Sequence, residues 1–215
     1  PGTAPTPTPG APSTPPSTPP AASAPLPPAI EAPTAQATPP APPPKPRTPA
    51  ESLLALADGA SRSVDVKASP QKTEVQTGKD ALAFSVRSNR EGFVYVFLLS
   101  SGGELFLLFP NLLDKYNRIK AGETISLPRA SWPMNAGGPA GVNRFAVLVS
   151  APERDSPDSG MQSDGVFAQF SLPVLAALEA ARGSKPPPLL GKPQCPAGAP
   201  CQDVYGVSHF NLVEG

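Results

Sequence analysis

Histidine is almost missing from this chain, which has one in 215 residues. A Ser-His-Asp or Cys-His arrangement would have to use that single residue, His209, and no G-x-S-x-G nucleophile motif occurs anywhere. A lone histidine in a strand-like stretch is expected to be a packed or surface residue, so the chain is read as non-enzymatic. One His and two Cys without local ligand spacing make neither a structural zinc site nor a carboxylate triad, and no metal or cofactor is expected. Charge of either sign is not in excess: 17 basic and 17 acidic residues cancel, and no basic cluster stands out. That argues against nucleic acid or an anionic membrane as partner. Long apolar runs are missing too. The longest, Phe93 to Leu99, is far short of the ~20 residues of a spanning helix, so membrane attachment is expected only through a segment of a parent chain. The glycine corner Gly137-Gly138-Pro139-Ala140-Gly141 lacks the Lys-Ser/Thr and the strand-loop-helix setting of a phosphate loop, and reads as a tight corner.

Proline is what the chain has in abundance. Of 34 prolines, 20 lie between Pro1 and Pro49, a stretch with no aromatic residue and only Glu31, Lys45 and Arg47 charged. Such a segment buries too little apolar surface to offset its ordering entropy. Residues 1–47 are therefore expected to be a disordered, extended Pro/Ala/Thr/Ser linker. Pro42-Pro43-Pro44-Lys45-Pro46-Arg47 has the form of a ligand for an SH3-like groove, although the plain spacer reading is favoured. The chain starts at proline without an initiator methionine, so a fragment or processed product is expected. Residues 48–215 are long enough for one domain with a real core.

The centre of that domain is Gly92 to Asn111, GFVYVFLLSSGGELFLLFPN. Two runs rich in branched and aromatic residues flank Ser100-Ser101-Gly102-Gly103, which predicts a β-hairpin. In its first arm Phe93, Tyr95, Phe97 and Leu99 share one face, and Val94, Val96 and Leu98 the other. Both faces are apolar, so the arm is expected to lie buried on both sides in the middle of a sheet. Pro110 stops the second arm. Thr48-Pro49-Ala50-Glu51 is a capping box opening a short helix that Gly59 ends. Strands are predicted around Ser63 to Ser69, Ala81 to Ser88, Glu123 to Leu127, Phe145 to Ser150, Val166 to Phe170 and Val204 to Val213. Trp132-Pro133-Met134 is expected to form another edge segment. Ala151 to Gly165 reads as a polar, flexible loop. Ser171 is expected to cap a helix through Ala181 with a buried stripe of Leu172, Leu175 and Leu178. Many short strands and only two short helices predict an all-β, immunoglobulin-like sandwich with one or two short peripheral helices.

Several of these residues together resemble a known family. The order Gly92-Phe93-Val94-Tyr95, Gly103-Glu104, Leu108-Phe109-Pro110-Asn111, Asn117-Arg118-Ile119-Lys120-Ala121-Gly122-Glu123, Leu127-Pro128 and Gly138-Pro139-Ala140-Gly141-Val142 is similar to a bacterial domain of unknown function with an LFPN and AGE signature. Tyr205-Gly206-Val207-Ser208-His209-Phe210 resembles that family's final strand. The domain often follows serine/threonine protein kinases at their extracytoplasmic C-terminal end, and also occurs in envelope proteins and beside caspase-like peptidases. The resemblance therefore implies a non-catalytic, extracytoplasmic sensory or ligand- and protein-binding module, the C-terminal part of such a kinase. The alternative is a structural or assembly protein of the cell envelope, secreted or anchored. The family offers no established catalytic residues to carry over.

Cys195 and Cys201 enclose Pro196-Ala197-Gly198-Ala199-Pro200, whose glycine and prolines favour a chain that loops back. A structural disulfide is favoured over free thiols or a reactive pair, since the spacing is not C-x-x-C. This pair, the spacer and the resemblance together suggest the periplasm or cell envelope. If a ligand surface exists, the polar and aromatic cluster at the hairpin exit is its expected place: Asn111, Asp114, Lys115, Tyr116, Asn117 and Arg118. The partner is expected to be a protein or cell-envelope ligand.

Overall fold

The computed structural model describes residue 2 and residues 45–198 and 200–215. The expected linker 1–47 lies outside the described residues, apart from Gly2 and its last three positions. The last of them, Arg47, pairs with Asp58 at 3.0 Å and lies 3.9 Å from Glu179.

Helix α1 (Pro49–Leu54) opens the domain, followed by strands β1 (Val66–Pro70), β2 (Glu74–Val75), β3 (Phe84–Ser88), β4 (Gly92–Leu99) and β5 (Leu105–Phe109). Strands β6 (Arg118–Ile119), β7 (Thr124–Leu127), β8 (Gly141–Ser150), β9 (Glu153–Asp155), β10 (Gln162–Asp164) and β11 (Phe167–Gln169) come next. Helix α2 (Leu172–Ala181), strand β12 (Lys192–Gln194) and strand β13 (Tyr205–Glu214) complete the chain. Thr48 caps α1 as its sequence dictates: its hydroxyl accepts from the Glu51 N–H, and the Glu51 carboxylate accepts from the Thr48 N–H at 2.7 Å.

The fold is all-β. A three-stranded sheet, β1-β3-β7, faces a larger sheet ordered β10-β11-β5-β4-β8-β13-β2, with β6 added on β4. Between them lies a core of alternate residues: Val94, Val96 and Leu98 of β4, Phe145, Val147 and Val149 of β8, and Phe84, Val86 and Leu127 of the small sheet. The other face of the large sheet is also covered. There Tyr95, Phe97 and Leu99 meet Ala146, Leu148 and Tyr205 under Leu53 and Leu56 of the N-terminal helical turns, Leu175 of α2, and Leu189 and Leu190. The doubly apolar hairpin arm thus has its cause in three layers, with β4 in the middle one. A bulge helps fill the first core: Val96 pairs with Phe109 and Phe97 with Leu107, leaving Leu108 extra. Leu108 and Phe109 then enter the same core.

Some expectations give way to long-range pairing. Trp132-Pro133-Met134 is no edge strand. Pro133 offers no N–H, and the segment instead buries Trp132 and is followed by a single isolated bridge outside the strands, Ala81 to Asn135. The stretch read as a flexible loop, 151–165, contains β9, which pairs with β12, and β10, which pairs with β11. In α2, Leu172 is exposed, while Leu175 and Glu179 are buried. Ser171 stands at its N-cap position without a side-chain cap bond. Glu179 is tolerated inside because Ser52 donates to it at 2.8 Å and Arg182 lies at 3.3 Å, tying α2 to α1.

Candidate functional site

Two features outside the packed cores have built-in geometry: the loop after β5 and a cleft beside α2.

The loop follows from a three-residue spacing of polar groups. After Pro110, the Asn111 amide turns back on its own chain. Its Nδ2 donates to the Leu108 carbonyl at 2.8 Å, and its Oδ1 accepts from the N–H groups of Leu113 and Asp114 at 3.0 and 2.9 Å. Asp114 also points inward, accepting from Arg129 Nη1 at 2.7 Å and from the Trp132 indole N–H at 2.9 Å. Asn117 closes the loop by donating to the Val94 carbonyl at 3.1 Å, while Val94 N–H donates to the Asn117 carbonyl at 2.7 Å. Arg129 in turn donates to the Tyr116 carbonyl at 2.9 Å and sits over the Phe109 ring. Trp132 stacks on Phe109, with ring centroids 5.8 Å apart.

Of the six residues expected to form a ligand surface, Asn111, Asp114 and Asn117 are therefore buried anchors. Lys115, Tyr116 and Arg118 face outward, and Arg118 lies over the Phe93 ring. Leu112 and Leu113, not among the expected residues, join them: Leu112 is 58 % exposed, Leu113 56 % and Tyr116 68 %. The signal was present in the spacing Asn111-x-x-Asp114-x-x-Asn117, which turns every third residue inward and the rest out. The outcome is a stiff loop presenting two leucines, a tyrosine and two cations.

The profile of the family described as "Domain of unknown function (DUF4384)" matches residues 74–153. That segment holds the hairpin, the loop and most of both sheets. Helix α1, β1, α2 and β13 lie outside it. No curated protein and no solved structure matches the chain.

The cleft begins where the match ends. It has a volume of about 430 Å³ and lies among β9, β12, α2 and the turn around Pro188. Arg154 is its most constrained group. The backbone N–H donates to the Tyr95 hydroxyl at 2.7 Å, Nε donates to Ser150 Oγ at 2.7 Å, and Nη2 pairs with Asp203. The guanidinium also lies 5.1 Å from the Tyr205 ring centre. Burial pushes the Tyr95 and Tyr205 phenols above the usual tyrosine value.

The remaining sequence candidates resolve locally. Cys195 and Cys201 are joined in a disulfide, with Cα atoms 5.4 Å apart. His209 Nε2 lies 3.0 Å from the Leu53 carbonyl oxygen and ties β13 to α1. Among the described residues, no group of three His, Cys, Asp or Glu is gathered as metal ligands, and no helix is long and apolar enough to cross a membrane.

Proposed function

We propose that this chain is a non-catalytic, extracytoplasmic binding module, the C-terminal part of a bacterial serine/threonine protein kinase, whose loop 112–118 contacts a protein of the cell envelope. The observation that carries this reading is the exposed set Leu112, Leu113 and Tyr116 standing on three buried polar anchors. These side chains lie outside both packed cores, tyrosine is a residue type enriched at protein interfaces, and the two leucines add apolar area beside it. Because Asn111, Asp114 and Asn117 hold the loop in place, little ordering entropy is lost on docking. The disulfide supports an oxidising compartment. The kinase link rests on the resemblance of the LFPN and AGE segments.

Two experiments test the proposal. The coding sequence upstream of Pro1 should contain a kinase domain followed by an apolar span of ~20 residues. A signal peptide without a kinase would instead support the envelope-assembly reading, which the same exposed loop would serve. Separately, the double variant Leu112→Ser/Leu113→Ser should fold like wild type yet lose retention of an envelope protein in affinity capture. Equal retention by both chains overturns the role of the loop.

A further inference from the structure

We propose that the outer face of the three-stranded sheet binds an acidic polysaccharide, a chain of sugars that each carry a carboxylate. Strand pairing assembles that face from six positions far apart in the sequence. Lys67 of β1 lies opposite Arg87 of β3, which lies opposite Thr124 of β7, and the next outward row is Ser69, Ser85 and Ser126. Val66, Phe84, Val86 and Leu127 on the same strands turn into the core, so these six turn to water. Five are exposed and Ser85 is half-buried. None of the six side chains makes a hydrogen bond or an ion pair among the described residues; the nearby ion pairs join Lys72 to Asp80 and Arg129 to Asp114.

The opposition of Lys67 and Arg87 costs the sheet stability, because like charges directly across an antiparallel pair repel where opposite charges would attract. A carboxylate laid between them removes that repulsion. The surroundings set the class of ligand. Asp65 just before β1 and Glu123 just before β7 are exposed acids, which disfavour a densely charged polymer such as polyphosphate or nucleic acid. The four hydroxyls both donate and accept, as sugar hydroxyls do. No aromatic or large apolar side chain stands among the six to anchor a protein partner. Neighbouring strands lie about 4.8 Å apart, close to the length of one sugar unit, so a chain crossing them meets Lys67, Arg87 and Thr124 in turn. The face is separate from loop 112–118 and does not depend on its role.

The test is a two-dimensional amide NMR titration of the full chain with tetragalacturonate, beside neutral maltotetraose and the acidic peptide hexaglutamate. Tetragalacturonate should give saturable shifts at Lys67, Ser85, Arg87 and Ser126 that weaken as sodium chloride is raised and exceed those from either control. Arg87→Thr, a strand-favouring change at an exposed position, should weaken binding roughly threefold, as for loss of one exposed ion pair, with no fall in Tm. Arg87→Glu should abolish the shifts while Tm holds or rises, because its carboxylate would face Lys67. No saturable shift, equal shifts from maltotetraose or hexaglutamate, or undiminished binding by Arg87→Glu would each overturn the proposal.

Discussion

Replacing Asp114 by alanine tests how the candidate loop is held. In the wild type its two carboxylate oxygens serve different partners, Arg129 Nη1 at 2.7 Å and Trp132 Nε1 at 2.9 Å. Removing the carboxylate leaves the indole N–H buried without an acceptor, a loss of about 1–3 kcal/mol. The Arg129 side chain is about a third exposed, so water takes over part of its role and that half contributes about 1 kcal/mol more. The expected destabilisation is about 2–4 kcal/mol, or roughly 5–15 °C in Tm for a domain of this size. Trp132 is the only tryptophan, so its fluorescence reports on the altered contact directly. Urea unfolding would be followed by that emission and, in parallel, by far-UV circular dichroism. Asp114→Asn, whose amide oxygen still accepts from the indole but does not neutralise Arg129, should fall between wild type and Asp114→Ala. Asp114→Ala within about 0.5 kcal/mol of wild type, with unchanged Trp132 emission, would refute the anchoring role.

Gly206→Ala should cost at least about 3 kcal/mol, or prevent folding, because a methyl group there meets the Val64 carbonyl oxygen and lies 2.9 Å from Val64 Cγ1 and Val66 Cγ2. Chemical denaturation measures it, and a loss below about 1 kcal/mol would show that β1 and β13 separate easily. Cys195→Ser/Cys201→Ser should lower stability by about 2 kcal/mol, the chain-entropy value for so small a ring, and reduction of the wild type by dithiothreitol should match it in calorimetry. Alkaline stability should depend on Tyr95 and Tyr205, whose buried phenols are raised above the usual value. The stability they contribute is complete below about pH 10, where the unfolded phenol ionises, and is lost as pH rises through the higher folded values. Thermal melts from pH 8 to 12 should therefore fall above about pH 10, and Tyr95→Phe should flatten that decline. An unchanged pH profile in Tyr95→Phe would place the alkaline loss elsewhere.

The central hairpin, the capping box at Thr48 and Glu51, and the class of fold were legible in the chain, because each depends on residues within a few positions of one another. Alternation along Phe93 to Leu99 is enough to demand burial on both faces, and Ser100 to Gly103 is enough to turn the chain. The Cys195–Cys201 ring is equally local, although its closure depends on the compartment. What the tertiary structure decided was the orientation of groups whose partners are distant. Asn111 is held by bonds within its own turn, but Asp114 and Asn117 looked like surface polar residues until Arg129, Trp132 and Val94 drew them inward and left Leu112, Leu113 and Tyr116 outside. Glu179 joins Leu175 on the buried side of α2 because Ser52, 127 positions earlier, supplies its hydrogen bond, while Leu172 at the start of the helix stays exposed. Arg154 stood in a stretch that read as a polar loop, and only strand pairing with β12 set it beside the cleft. Periodicity reports which face of an element is apolar. Which polar group is buried depends on finding a partner, and that partner comes from elsewhere in the chain.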